Sequence, residues 1–466
     1  MNKYYSLLLL LMAFLPGHIL AQTNYNDVAV IVNSNSTVSL AIGEYFSQER
    51  NIPEKNIIKI NVPEKEQISS AEFDDLRQQV EDYITANNLL GDLNYLVTTK
   101  GVPLGIARDS SANWGGVPFG YHRASVESEL ALILGPYAPY IGDSLAIQNP
   151  YFQKNEHFTR NKFGVFLVTR LDGYTQQDVF RLVDNGGPSQ AVNRDSATFV
   201  LDQAPKWNTA GQSYQQLNQR LGQVATVLKA NNWETLLNDD TVFVTGQRNV
   251  LGYASWGSND QDAHAVTTWA RPGNIWAKGS IAETYVSTSG RSFESSNTIG
   301  WQSRIADLVE EGVSAVKGYV YEPFSFALAD VSVLFSRYTD EDADEPYNMA
   351  ESFGMASAVL SWMDVVIGDP KTSLQLKEPS AVAKSGAGPS FRIYPNPAVN
   401  EVNIIYPASQ PIHVMVQDLM GRRVLQRWID GGEDYLTLDV SGLSAGTYLV
   451  TLNLENTSLR QKLVVR

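Results

Sequence analysis

The chain has 466 residues, of which 43% are hydrophobic, so it is long enough for two or three domains with real cores. Its formal net charge is -15, from 35 basic and 50 acidic residues. Such a chain repels phosphate backbones and anionic lipids, so we expect no nucleic-acid partner. Cysteine is absent, which excludes disulfides, thiolate catalysis and zinc sites built on sulfur.

Residues 1–21 predict a cleavable secretion signal. Lys3 supplies a positive start, residues 6–15 are apolar, and Ile19-Leu20-Ala21 ends the segment before Gln22. The apolar run is shorter than the ~20 residues that a membrane-spanning helix requires. We therefore expect removal of this segment, and no later segment predicts a transmembrane helix.

Residues 22–375 predict one large α/β body. Strands are expected at 28–32, 57–60 and 93–98, with helical spacing of apolar residues between them. This alternation predicts a parallel or mostly parallel sheet with helices on both faces. The same rhythm continues, with strands expected at 163–168, 198–201, 241–245, 251–255, 281–286 and 314–319, and helices at 214–230, 301–311, 326–338 and 348–366.

Residues 376–390 predict a flexible linker, because the segment 380–389 consists mainly of small residues. From residue 391 the hydrophobic period changes to two. This change predicts a small antiparallel β-sandwich, immunoglobulin-like in architecture, over residues 391–466. Its strands are expected at 402–405, 413–417, 424–427, 435–438, 447–452 and 461–465.

The tail carries the most specific motifs of the chain. They are Tyr394-Pro395-Asn396-Pro397, Val414–Asp418, Leu438–Leu443, Gly446-Thr447-Tyr448 and the closing Lys462–Arg466. In this order they resemble the type A C-terminal sorting domain of the type IX (Por) secretion system. The resemblance implies that the type IX secretion machinery recognises residues 391–466. It also implies export through the periplasm to the outer-membrane surface or the medium.

The body carries a second set of motifs, several of which follow predicted strands. They are Thr99–Leu104, Ser125–Leu130, Thr169–Gly173, Gly252–Asp260, Glu322-Pro323 and Val366–Pro370. Together they resemble an uncharacterised family of exported bacterial proteins, which implies no particular reaction. Because open parallel sheets bind ligands beyond the carboxyl ends of their strands, we expect a site there.

Four shorter segments resemble gingipain-type cysteine peptidases, which have a caspase-like, three-layer fold. Ser255–Ser258 matches their Gly-His-Gly-Ser turn, Ser287 or Ser289 stands near their cysteine, and Glu311–Val316 and Gly368–Pro370 match two further motifs. The resemblance puts Trp256 at the position of the histidine, so both members of the catalytic pair are missing. Indole cannot accept a proton, and a serine without a base is a poor nucleophile.

The candidate site residues lie mainly in two loops, 255–264 and 287–291. Asn259, Asp260, Asp262 and His264 offer oxygen and imidazole groups, although an acidic surface loop has the same composition. The candidate catalytic residues are Ser287, Ser289, His264 and Asp260. The candidate ligand-binding residues are Lys100, Ser255, Trp256, Asn259, Asp260, Arg291 and Glu322.

Two classes of function compete for the body. The missing Cys and His favour a protein that binds an extracellular ligand, such as a peptide or a glycan, without catalysis. The alternative is an extracellular hydrolase, peptidase-like or glycosidase-like. Its groups are a serine with His264 as base, or an acid pair drawn from Asp260, Asp262, Glu283 and Glu322 or from Glu127 and Glu129. No metal and no cofactor are predicted.

Overall fold

The computed structural model describes residues 24–107, 123–137, 146–266, 268–294, 302–376, 391–405, 412–418, 422–429, 435–453 and 458–466. The predicted signal at 1–21 and residues 377–390 of the predicted linker lie outside these ranges. The chain forms two compact units, Met1–Glu378 and Pro379–Arg466. Within the described ranges, no helix is long and apolar enough to cross a bilayer.

The first unit is built on one ten-stranded sheet. Its strands are β1 Val28–Asn33, β2 Ile57–Ile60, β3 Tyr95–Thr99, β4 Leu167–Leu171, β5 Thr198–Asp202, β6 Glu234–Asn238, β7 Arg248–Ser255, β8 Ile275–Thr284, β9 Ala315–Tyr319 and β10 Asp364–Gly368. Their spatial order is β6-β5-β7-β8-β9-β10-β4-β3-β1-β2. Neighbours are parallel from β6 to β9 and from β4 to β2. Strand β10 is antiparallel to β9, and one backbone pair, Ile367 with Arg170, joins it to β4.

Contacts across the sheet place the carboxyl ends of its parallel strands at one edge. Lys100 follows β3, and its Nζ donates to the carbonyl of Phe293, which lies beyond β8, at 3.0 Å. At the opposite edge, the Tyr25 hydroxyl, just before β1, donates to the Asp369 carboxylate at 2.8 Å. The loops after β3, β4, β7 and β8 therefore share one edge, here named the carboxyl edge.

Helices cover both faces of the sheet. Alternate residues of β1 accordingly pack into two separate cores. Val30 belongs to one core together with Ile42 of α1, and Ile31 belongs to the other together with Phe73 of α2. A strand buried on both faces requires apolar residues at consecutive positions, as β1 has. The helices are α1 Thr37–Arg50, α2 Ser70–Ala86, α3 Val126–Leu130, α4 Arg160–Phe163, α5 Gln176–Asn185, α6 Gln212–Ala230, α7 Ala263–Val266, α8 Ile305–Glu311, α9 Val331–Tyr338 and α10 Met349–Ala356.

Two predicted elements are wrong. The helix expected over 348–366 ends at Ala356, and residues 364–368 form β10 in the middle of the sheet. A short apolar run such as 365–367 fits a buried strand as well as a helix, and the sheet decides between them. The strand expected at 241–245 is a loop, whereas the unpredicted β6 pairs with β5 residue by residue.

Short strands in the first unit hold its loops. Gln67–Ser69 pairs in parallel with Gly105–Ala107, which pairs antiparallel with Ala124–Ser125. Ile147–Gln148 pairs antiparallel with Val359–Leu360, and Gln190–Val192 pairs in parallel with Leu374–Leu376.

The second unit consists of two antiparallel sheets around a small apolar core. Val402, Val414 and Val450 are fully or almost fully buried in this core. One sheet contains Arg392–Tyr394, Glu401–Ile405 and Tyr435–Asp439, and the other contains Arg423–Ile429, Ile412–Asp418, Gly446–Asn453 and Ser458–Val465. The predicted fold class, an α/β body with helices on both faces followed by a small antiparallel β-sandwich, is confirmed.

Candidate functional site

The loops after β7 and β8 lie side by side at the carboxyl edge. Asn259 Nδ2 donates to the carbonyl of Tyr285 at 2.8 Å. Ser303 N donates to Ser258 Oγ at 2.9 Å, and Ser258 N donates to Ser303 Oγ at 3.2 Å. The structure therefore brings together the two segments that the sequence singles out, 255–264 and 287–291.

Trp256 packs into the core beside these loops and offers almost no surface. It is 2% exposed, its ring stacks on Trp207 with centroids 4.5 Å apart, and its Nε1 donates to Asn218 Oδ1 at 2.7 Å. Ser255 is fully buried, and its Oγ accepts from the Gly257 amide at 2.9 Å. Both residues shape the turn after β7, and neither presents a side chain at the surface of the edge.

The two candidate serines have no base beside them. Ser287 Oγ accepts a hydrogen bond from Gln302 Nε2 at 2.9 Å, and an amide cannot take its proton. Ser289 is 1% exposed, and its Oγ has no partner among the described residues. His264 is exposed, and no hydrogen bond within the described ranges joins it to either serine. The predicted serine–histidine pair is therefore not assembled in this structure.

Arg291 holds the loop after β8 in place. Its guanidinium donates to the carbonyls of Thr288, at 3.0 Å, and Gln302, at 2.7 Å. Burial, together with the positive charge of Arg304, lowers the pKa of Arg291. Its short links to loop carbonyls indicate a structural contribution to the edge.

Two acidic side chains interact electrostatically: Asp202 at the end of β5 and Asp260 in the loop that follows β7. Asp202 is fully buried and accepts from Asn238 Nδ2 at 2.8 Å, and burial, reinforced by the charges of Asp260 and Asp240, raises its pKa to about 7. Burial also raises the pKa of Asp260, which is 3% exposed. Sequence analysis finds Asp260 but misses Asp202, although its position at a strand end was a usable signal.

The other predicted acids do not join this pair. Glu322 is exposed. Glu283 is fully buried inside β8, where it accepts from the Tyr319 hydroxyl at 2.7 Å. Glu127 and Glu129 are buried at the start of α3, and Glu127 forms an ion pair with Arg170.

A buried ionic network underlies Lys100, and sequence analysis misses its centre. Arg170, 1% exposed, donates from Nη1 to Glu127 Oε1 and from Nε to Asp172 Oδ2, both at 2.8 Å. The Thr98 hydroxyl also donates to Glu127 Oε1, at 2.6 Å. Lys100 Nζ is 3.4 Å from Asp172 Oδ1, at the outer end of this network. Residues Thr98, Lys100, Glu127, Arg170 and Asp172 are named the Arg170 network.

Lys100 is a cationic side chain at the carboxyl edge, and several acidic side chains lie near it. Its side chain is 16% exposed, and Glu294 Oε1 lies 3.8 Å from its Nζ. Glu66 is close by, because its Oε1 accepts from the Phe293 amide at 2.6 Å, and burial raises the pKa of Glu66. A ligand with both hydrogen-bond acceptors and donors matches this mixture of an ammonium and carboxylates.

Another cavity lies at the opposite edge, where the sequence predicts no site. It has a volume of about 540 Å³ and is lined by polar residues that include Asp27, His157, Glu351 and Lys371. His157 Nδ1 is 3.0 Å from Glu351 Oε1, and this hydrogen bond raises the pKa of His157. Ser189 and Ser373 also line the cavity, and neither has a hydrogen bond to His157 within the described ranges.

The chain is similar to known proteins in structure and, over its tail, to a known family in sequence. No curated protein is similar to the chain in sequence. Among solved structures, the Arg-specific cysteine proteinase gingipain R has 11% identity, covers 95% of this chain and 99% of its own, and gives a TM-score of 0.39. The complex of the pro- and mature domains of a Porphyromonas gingivalis gingipain has 10% identity, covers 95% and 100%, and gives 0.38. With TM-scores below 0.5, these likenesses support no conclusion about activity.

The tail is the part that the comparisons identify. A family model described as a secretion system C-terminal sorting domain matches residues 392–466. Residues 392–466 are therefore a type IX secretion sorting domain, and the chain is exported to the cell surface or secreted.

Proposed function

We propose that the α/β body is a non-catalytic binding protein, which holds an extracellular peptide or glycan at the carboxyl edge of its sheet. The observation that carries the proposal is the environment of Ser287. Its hydroxyl accepts from the amide of Gln302 rather than facing a base, so it lacks the partner that serine catalysis requires. Export through the sorting domain gives the body access to ligands outside the cell.

The ligand is expected to contact Lys100 and the acids around it. Two fixed partners, the Phe293 carbonyl at 3.0 Å and Asp172 at 3.4 Å, hold the ammonium in place. A group that is already held loses little side-chain entropy when a ligand binds. Peptides and glycans both supply an acceptor for Lys100 and donors for Glu294, so the experiment decides between them.

The test uses the full chain recovered from outside the cell. We expect saturable binding on a peptide array or a glycan array, and Lys100→Met should weaken it about tenfold or more, because it removes a held charge. Lys229→Met, an exposed position at the end of α6, is the matched control and should bind like the wild type. Equal binding by Lys100→Met and the control would overturn this site.

A hydrolase remains the second candidate, because of the Asp202 and Asp260 pair. A carboxyl group with a pKa of about 7 suits general acid–base work near neutral pH. If the body is a hydrolase of this kind, Asp260→Asn abolishes turnover of peptide or glycan substrates. Labelling by a fluorophosphonate that is lost in Ser287→Ala would instead support a serine mechanism and contradict the binding proposal.

A further inference from the structure

A small cavity in the first unit is lined mainly by apolar residues, with a few polar side chains among them. It has a volume of about 60 Å³ and is lined by residues of β4, β10, α3 and α10. Three of its lining residues, Glu127, Thr169 and Asp364, each have one buried oxygen without a hydrogen-bond partner among the described residues. The oxygens are Glu127 Oε2, Thr169 Oγ1 and Asp364 Oδ1. Buried polar atoms are normally satisfied, so these three require an occupant.

The second oxygen of each carboxylate is already engaged with a buried base. Glu127 Oε1 is 2.8 Å from Arg170 Nη1, and Asp364 Oδ2 is 3.2 Å from Lys317 Nζ. Arg170 and Lys317 are both about 1% exposed. The two carboxylates are therefore held by ion pairs, and acceptors held in this way are preorganised for a ligand.

The buried charges around the cavity do not balance. Arg170 is shared by Glu127 and Asp172, and the charge of Lys317 acts on both Asp364 and Glu283. Each of these two buried bases therefore interacts with two acidic side chains. Lys100 also approaches Asp172, but it lies at the solvent end and faces Glu294 as well. An excess of buried negative charge is costly unless a cation offsets it or an acid takes up a proton.

We propose that this cavity binds a calcium ion, with Glu127 Oε2, Asp364 Oδ1 and Thr169 Oγ1 as protein ligands and water completing the coordination shell. All three ligands are oxygens, which hard cations prefer to nitrogen and sulfur. Calcium tolerates an irregular shell, whereas Mg²⁺ demands near-ideal octahedral geometry and loses its water reluctantly. Water alone satisfies the hydrogen bonds, but it leaves the carboxylates of Glu127 and Asp172 with one fully buried base, Arg170, between them.

Sequence analysis predicts no metal, because the three ligands come from segments far apart in the chain. Among the described residues, no group of three or more histidine or acidic side chains is placed to share a metal ion. With only two carboxylates in the shell, we expect weak binding, with a Kd of about 10⁻⁴ to 10⁻³ M, as in extracellular calcium modules. Export places the protein where calcium at such concentrations is available.

The first measurement is thermal unfolding of the full chain after removal of metals by a chelator. Added CaCl₂ should raise the Tm saturably, by about 2 °C or more at ten times the Kd. MgCl₂ and choline chloride at matched ionic strength should not do so. Isothermal titration with Ca²⁺ then gives the Kd and the stoichiometry. No calcium-dependent shift in the wild type would mean that the cavity holds water only, and would overturn the proposal.

Variants locate the ion. Thr169→Val removes one ligand without changing the charge and should weaken calcium binding about tenfold, and Asp364→Asn should weaken it further. Thr451→Val is the matched control, because Thr451 is also a buried threonine with an unpartnered hydroxyl but lies in the sorting domain. If both cavity variants bind calcium like the wild type, the ion lies elsewhere and the proposal fails. Thr169→Val keeps the test valid even if Asp364→Asn does not fold.

Discussion

Glu283 shows how burial changes the chemistry of one side chain. It lies in β8 with no solvent exposure, accepts from the Tyr319 hydroxyl at 2.7 Å, and has a second oxygen without a partner among the described residues. Burial, with a smaller contribution from the charge of Asp364, raises its pKa to about 8. The folded protein therefore keeps this carboxyl protonated at neutral pH, which relieves part of the excess negative charge around Lys317.

The raised pKa predicts a pH dependence of stability. Between the unfolded value of 4.5 and the folded value of about 8, the folded state binds one more proton. The free energy of unfolding of the wild type therefore falls as pH rises through this window, by up to ~1.4 kcal/mol per pH unit from this group. Glu283→Gln cannot titrate, so its stability should fall less steeply.

Urea unfolding at pH 5, 6, 7 and 8 in calcium-free buffer checks this expectation. Glu322→Gln, an exposed position, should follow the wild-type curve. Parallel curves for the wild type and Glu283→Gln would show that Glu283 is ionised in the folded protein across this range.

Sequence reasoning at the residue scale finds the loops but misjudges several environments. It places Ser255 at the end of a strand, and Asn259, Ser287 and Arg291 in loops that follow strands, where the structure has them. It cannot tell that Trp256 packs inside the core, because the spacing of a residue in its own segment does not reveal what lies across from it. The Arg170 network is missed for the same reason, since its members come from three separate segments.

At the scale of elements, two glycines on helices show how packing decides the effect of the same substitution. Gly43 of α1 faces β1, and a Cβ there would lie 2.3 Å from Val32 Cγ1. Gly222 of α6 has more room, because its nearest neighbour would be the amide end of the Gln203 side chain, at 3.3 Å. A valine methyl in a buried strand cannot move aside as a flexible glutamine can.

Replacing each glycine by alanine should therefore have opposite effects on stability. Alanine favours a helix by about 1 kcal/mol over glycine, so Gly222→Ala should gain up to about that amount. In Gly43→Ala the clash with Val32 should outweigh this gain, because overpacking costs about 1 to 3 kcal/mol. Urea midpoints of the two variants give the comparison directly. A Gly43→Ala protein as stable as the wild type would mean that α1 can shift away from β1.

The elements themselves are predicted well where the periodicity is long and less well where it is short. The 17 residues of α2 carry a clear helical stripe, and Ser69 and Glu72 form a capping box at its start. The five residues of β10 have no period of their own. These residues form a strand because they pair with β9 and β4, and no local sequence pattern predicts this pairing.

At the scale of the whole molecule, the chain combines an α/β body with a sorting domain in separate compact units. Each unit has its own apolar core. A unit with its own core is expected to fold without the other, and a sorting signal has to be recognisable whatever cargo precedes it. Export and ligand binding are therefore expected to depend on different parts of the chain.

A truncation after Glu378 tests this division. The full chain should appear at the cell surface or in the medium without its first ~21 residues, because the predicted signal is removed. The truncated chain should accumulate in the periplasm, yet show the same thermal transition for the body. Intact-mass analysis of the cell-surface, medium and periplasmic fractions measures where each chain accumulates and whether its signal has been removed. Thermal unfolding measures the transition of the body, and full-length Glu322→Gln is the control. Export of the truncated chain would show that residues 379–466 are not needed for secretion.

The sequence by itself determined the features that depend on local patterns: the α/β rhythm of the body, the period-two strands of the tail and the motifs of the sorting domain. These follow from backbone sterics and from which side chains are apolar, so they can be read along the chain. Only the tertiary structure decided that Ser287 faces an amide, that the charge of Asp260 acts on Asp202, and that Glu127 and Asp364 line one cavity. Burial and electrostatic interactions between distant segments set these properties, and they exist only after the chain has folded.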